Sequence, residues 1–195
     1  YIEGNRLSNA VQRLQRLFIR HPGDPATGLA HLTLGELRLR QFYKTPDVNR
    51  LQFTNLLSEA LGHFDVILKG DDQTDLMGKS WLGRGWALWE WGNLSGRKFQ
   101  FGLAQQAYSN AVNDLVLSRE QAIAQFKVAD CLFRQADYGM ASSNYWASIS
   151  IATNSIGFNN ALVNHALYQI VRSGVEQLDL PGANWAVRHL IDWFP

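Results

Sequence analysis

Apolar residues along this chain recur three and four positions apart: Leu7, Val11, Leu14, Leu17 and Phe18; then Leu29, Leu32, Leu34, Leu37 and Leu39; then Phe126, Ala129, Leu132 and Phe133. That period gathers each set on one face of a helix, and no comparable stretch alternates every second residue as a half-buried strand does. All five prolines lie at Pro22, Pro25, Pro46, Pro181 and Pro195, which leaves 47–180 free of the strongest helix breaker. The pattern predicts an all-α chain with helices near 6–21, 27–43, 48–69, 74–92, 99–116, 119–135, 138–153, 158–178 and 181–193. Loops separate them at His21-Pro22-Gly23-Asp24-Pro25 and Leu178-Asp179-Leu180-Pro181-Gly182, the second reading as an Asp cap with Pro in the first helical turn.

A longer repeat runs through these helices. The second member of each expected pair carries a small residue, a bulky one four later and an apolar or small one three after that: Ala10, Leu14, Leu17; Ala60, Phe64, Ile67; Ala104, Tyr108, Ala111; Ala141, Tyr145, Ser148; Ala183, Val187, Leu190. Steps of four and three hold all three on one face, a small side chain where two helices approach and a large one filling the adjoining gap. The alanines are spaced 50, 44, 37 and 42 residues apart.

This pattern, with preceding helices that read Leu34-Gly35-Glu36-Leu37 and Lys127-Val128-Ala129-Asp130-Cys131-Leu132, resembles tetratricopeptide (TPR) repeats over essentially the whole chain. Ala129 and Ala141 stand twelve residues apart, as in the family, and Tyr145 falls at its second-helix aromatic. Gly35 to Ala60 is 25 residues and Gly85 to Ala104 is 19, so those pairs hold insertions or longer helices, and every alanine spacing exceeds the usual period of about 34. The resemblance implies a right-handed superhelix of antiparallel helix pairs, an α-solenoid. It divides the chain as one repeat domain with a half repeat at 1–25 and repeats at about 26–72, 73–117, 118–156 and 157–195, expected to be part of a longer superhelix.

Charge narrows the partners. Eighteen basic against seventeen acidic residues leave a net charge of +1, so no global field draws the chain to nucleic acid, although residues 1–50 carry +4 and the rest −3. No run approaches the roughly 18 uncharged apolar residues of a spanning helix; Trp81 to Trp91 is broken by Gly83, Arg84, Gly85 and Glu90. The single cysteine, Cys131, lies on an apolar helix face and reads as a buried thiol.

Catalytic constellations are sparse. Asp71, Asp72 and Asp75 have a D-D-x-x-D spacing suited to Mg2+, but they follow Lys69-Gly70 at the start of a new helix, where carboxylates cap exposed N–H groups. Gly78-Lys79-Ser80 lacks the glycine of a phosphate loop, since Gln73 stands there. His21, His31, His63, His165 and His189 form no pair three to five residues apart, and no metal or other cofactor is expected. The resemblance implies a concave groove lined by the first helix of each pair: Leu32, Glu36 and Leu39; Leu82, Trp86, Trp89 and Glu90; Phe126, Asp130, Phe133 and Arg134; Tyr168 and Arg172. An apolar, aromatic groove suits a peptide or helix of a partner protein, with Trp, Tyr and Arg side chains as anchors and Trp86→Ala or Phe133→Ala expected to weaken binding. The expected function is therefore a non-catalytic protein-binding scaffold, the alternatives being a structural segment that supports other domains or a metal-dependent helical enzyme using Asp71, Asp72 and Asp75. Self-association through uncapped ends and a place in the bacterial periplasm or cell envelope complete the expectation.

Overall fold

The computed structural model describes residues 2–21, 24, 26–70, 74–155 and 160–193. Among them are nine α-helices and no strand: α1 (Ile2–Arg20), α2 (Ala26–Lys44), α3 (Thr54–Leu68), α4 (Thr74–Ser95), α5 (Lys98–Asp114), α6 (Arg119–Arg134), α7 (Tyr138–Asn154), α8 (Asn160–Glu176) and α9 (Leu180–Trp193). None of these helices is long and apolar enough to cross a membrane. Asp71 and Asp72 lie outside the described residues, as do Pro22 and Pro195; Asp75 is exposed in the first turn of α4. The chain forms two compact units, Tyr1–Ser95 and Gly96–Pro195, so the expected second helix pair has α4 in one unit and α5 in the other.

In the first unit α1 packs on α2, and α2, α3 and α4 pack on one another. The predicted helix 48–69 divides: Asp47–Phe53 is a 3-10 helix and the α-helix begins at Thr54. None of those seven residues is buried, with Val48 88% and Leu51 68% exposed, so no apolar face holds them in α-helical winding. The core gathers Leu32, Leu39 and Phe42 of α2, Leu57, Ala60, Phe64 and Ile67 of α3, and Ala87 of α4. Phe64 explains two glycines. A Cβ at Gly35 would come within 2.6 Å of its ring, and one at Gly83 would also collide with it, so the ring lies between two bare helix backbones. Beside this contact run the ion pairs Arg38–Glu59 at 2.7 Å, from α2 to α3, and Asp65–Arg84 at 2.8 Å, from α3 to α4.

In the second unit each helix packs on the next, from α5 to α9. The small-then-bulky pattern occupies the core in α5 and α7, where Ala104, Tyr108, Ala111, Ala141, Tyr145 and Ser148 are fully buried, while in α9 Ala183 is buried and Val187 and Leu190 are half-buried. Phe126 meets Tyr145 and Phe133 meets Tyr138, each with ring centroids 5.1 Å apart, which sets α6 and α7 antiparallel. At Gly174 a Cβ would lie 2.9 Å from that of Ala183, the close approach that joins α8 to α9. The helix ends follow local chemistry. Ser118 Oγ accepts from the Gln121 N–H at 3.0 Å, Asp137 Oδ1 from the Met140 N–H at 3.2 Å, and Asp179 Oδ1 from the Gly182 N–H at 3.1 Å. The last is the cap expected before Pro181.

Candidate functional site

In the first unit the expected lining residues divide between core and surface. Leu32 and Leu39 are buried at 4% and 7% exposure, packed into the core with Phe42 and Phe64, so neither is available to a partner. The physical reason is position: α2 is covered by both α3 and α4, and the turns bearing these leucines face inward. Glu36 is exposed. Leu82, Trp86, Trp89 and Glu90 share one face of α4 by their steps of four, three and one, and all four are half-buried. Trp86 packs against the core cluster. Glu90 is engaged from α2, where Tyr43 donates its hydroxyl to Oε1 at 3.1 Å; burial and that neighbouring carboxylate push the phenol well above its usual range.

The second unit brings a different set together. Arg172 of α8 lies over the Phe133 ring of α6, 4.7 Å from its centroid, and donates to Gln169 Oε1 at 3.0 Å. No described carboxylate pairs with this guanidinium. Tyr168, one turn earlier on α8, is 55% exposed. Arg134 is exposed and covers the Phe101 ring at 4.5 Å. Phe126 is half-buried against Tyr145.

Asp130 serves the interior. Its Oδ2 takes the Lys127 ammonium at 2.7 Å and its Oδ1 accepts from the Tyr145 hydroxyl at 2.7 Å, with the Lys127 and Asp130 side chains only 8% and 14% exposed. Desolvation, then the charge and hydrogen bond of Asp130, hold the Tyr145 phenol far above its ordinary range, so it remains a donor. Burial likewise pushes the Cys131 thiol up to about 12, which removes it as a nucleophile at neutral pH.

Two clusters escaped the sequence pattern because their members are distant along the chain. Trp146 of α7 meets Trp185 of α9 at 4.7 Å, and Trp185 in turn lies 3.5 Å from His189 on the same helix. His31 and His63 face each other across α2 and α3. The i, i+4, i+8 spacing of Trp185, His189 and Trp193 was the available signal for the first; the second had none in local spacing.

These features define an all-helical chain of sequentially packed helices with an Arg-aromatic surface in its second unit. Comparison with protein-family models, curated proteins and solved structures finds no match.

Proposed function

We propose that this chain is a non-catalytic protein-interaction scaffold, built of TPR-like helix pairs, that takes a peptide or helix of a partner protein on the α6–α8 face of its second unit. The observation that carries this reading is the Arg172–Phe133 stack beside exposed Tyr168. Aromatic and Arg side chains dominate the energetics of protein interfaces, and a guanidinium already seated on a ring loses less conformational freedom when a partner engages it. Lys127 pairs with Asp130 behind this face, and the exposed guanidinium of Arg172 adds positive charge to it. In the first unit, considered by itself, the Trp86 indole of α4 is partly committed to its own core.

The test is affinity capture with the whole chain, identification of the bound protein, and calorimetry of that complex with Phe133→Ala and Arg172→Ala variants. A loss of about 2 kcal/mol, roughly thirtyfold in Kd, is expected for Phe133→Ala with unchanged helical circular dichroism. Equal affinity in both folded variants overturns this surface. A second reading, a segment that supports other domains, draws on the inward commitment of Leu32, Leu39 and Asp130, three expected contact residues that the fold uses for itself.

A further inference from the structure

The His31 and His63 rings meet where three helices join. Their Nδ1 atoms are 3.0 Å apart, a hydrogen-bond distance between α2 and α3. On its other side the His31 ring stacks on Phe18 of α1, with centroids 4.2 Å apart and planes inclined by 17°. Such a bond has a strict proton requirement. One Nδ1 must carry hydrogen and the other must offer a lone pair. A neutral pair satisfies this when one ring is the Nδ1–H tautomer, and a pair with one extra proton satisfies it with an imidazolium donating to a neutral ring. With both rings charged there is no acceptor, and two cations face each other.

We propose that His31 and His63 form a proton-operated latch that ties α1, α2 and α3 together while the pair holds at most one extra proton, and opens when solvent supplies the second. Among the described residues the charged groups that act on the pair are Arg38 of α2 and Glu59 of α3, themselves paired at 2.7 Å, while α1 presents the uncharged Phe18 ring. Glu59 is thereby committed to Arg38 and offers the doubly charged pair little relief. A metal clip is the weaker reading of the same atoms. Structural and catalytic sites use three or four protein ligands, and no group of three His, Cys, Asp or Glu suited to a metal occurs among the described residues.

The direction of the pH dependence follows from burial. Desolvation lowers His31 below its ordinary 6.5; desolvation, then the neighbouring His31 and Arg38, lowers His63 below the same value. As pH falls the unfolded chain therefore takes up protons first. The latch contributes fully above about pH 6.5 and is lost as pH falls through the lowered values. The two rings titrate as a coupled pair in two steps, and opening follows the second.

Two measurements decide it. Nitrogen-15 NMR of the intact chain reads the imidazole tautomers directly: one of the two rings is expected to hold its proton on Nδ1 at neutral pH. Two rings that both carry hydrogen on Nε2 alone, titrating independently near 6.5, overturn the proposal. Hydrogen exchange of the α1, α2 and α3 amides, corrected for intrinsic pH dependence, is expected to show opening increased about tenfold for each unit by which the second protonation is depressed. The rise is expected to fall sharply in His63→Gln and His31→Gln, which keep a polar side chain and leave only one ring to charge. Wild type and folded variants with equal acid-induced opening overturn the latch; should both variants fail to fold, the tautomer result on the native chain decides alone.

Discussion

Asp130 is where a single residue decides most in this protein. Its carboxylate joins a buried ammonium on its own helix to a phenol on the next, with both bonds at 2.7 Å. Removing the charge takes from buried Lys127 the carboxylate it meets at 2.7 Å, a loss that outweighs the modest net value of the pair itself. Asp130→Asn and Lys127→Met are each expected to destabilise the chain by about 3 kcal/mol in urea unfolding, because each breaks the pair from one side. A negligible loss in Lys127→Met beside a large one in Asp130→Asn would show that the carboxylate acts only through Tyr145. The same reasoning separates Asp130 from Arg172. One is satisfied from within, whereas the other rests on a ring and an amide and keeps its charge at the surface.

Among the elements, α6 shows how local chemistry ends a helix against a steric cost. Ala136 follows it with φ +68°, and the next residue, Asp137, donates its N–H back to the Leu132 carbonyl at 3.0 Å, closing the last turn. An alanine in that left-handed region is disfavoured by its Cβ, and glycine is not. Ala136→Gly is therefore expected to raise stability by up to about 1 kcal/mol, read as a higher urea midpoint at unchanged slope. A lower midpoint would show that the added freedom of the unfolded chain outweighs the relief. Leu178 repeats the device after α8, with φ +61° and the Asp179 N–H donating to the Gly174 carbonyl at 2.8 Å.

For the whole molecule, the division at Ser95 and Gly96 separates two cores, one built on Phe64 between glycines and one on Tyr108 and Tyr145 beside alanines. Each helix of the second unit packs on its sequence neighbour, an arrangement in which stability accrues from adjacent contacts. Residues 96–195 expressed alone are accordingly expected to unfold in one cooperative urea transition with protected amides in α6 and α7. A molten fragment without protection would show that the second core depends on the first ninety-five residues.

The helices were legible in the chain because a three-and-four period, five prolines and a few capping side chains are local signals, and each expected helix has a counterpart in the fold. The small-and-bulky pattern also placed Ala60, Phe64, Ala104, Tyr108, Ala141 and Tyr145 in the interior, since shape at a close helix contact is written in residue size. Burial of an individual lining position was not legible. Leu32 and Leu39 lie inside because α2 is covered from two sides, and Asp130 is consumed by a lysine one turn away on its own helix and by a tyrosine whose approach depends on how α6 meets α7. The winding of 47–53 likewise turned on whether anything covered it. What the amino-acid order determined by itself is the set of helices and the residues that fill their contacts, because both arise from neighbours along the chain. Only the tertiary structure decided which polar groups meet, Arg172 over Phe133 and His31 against His63, because those pairs are 39 and 32 residues apart and exist only once helices are packed.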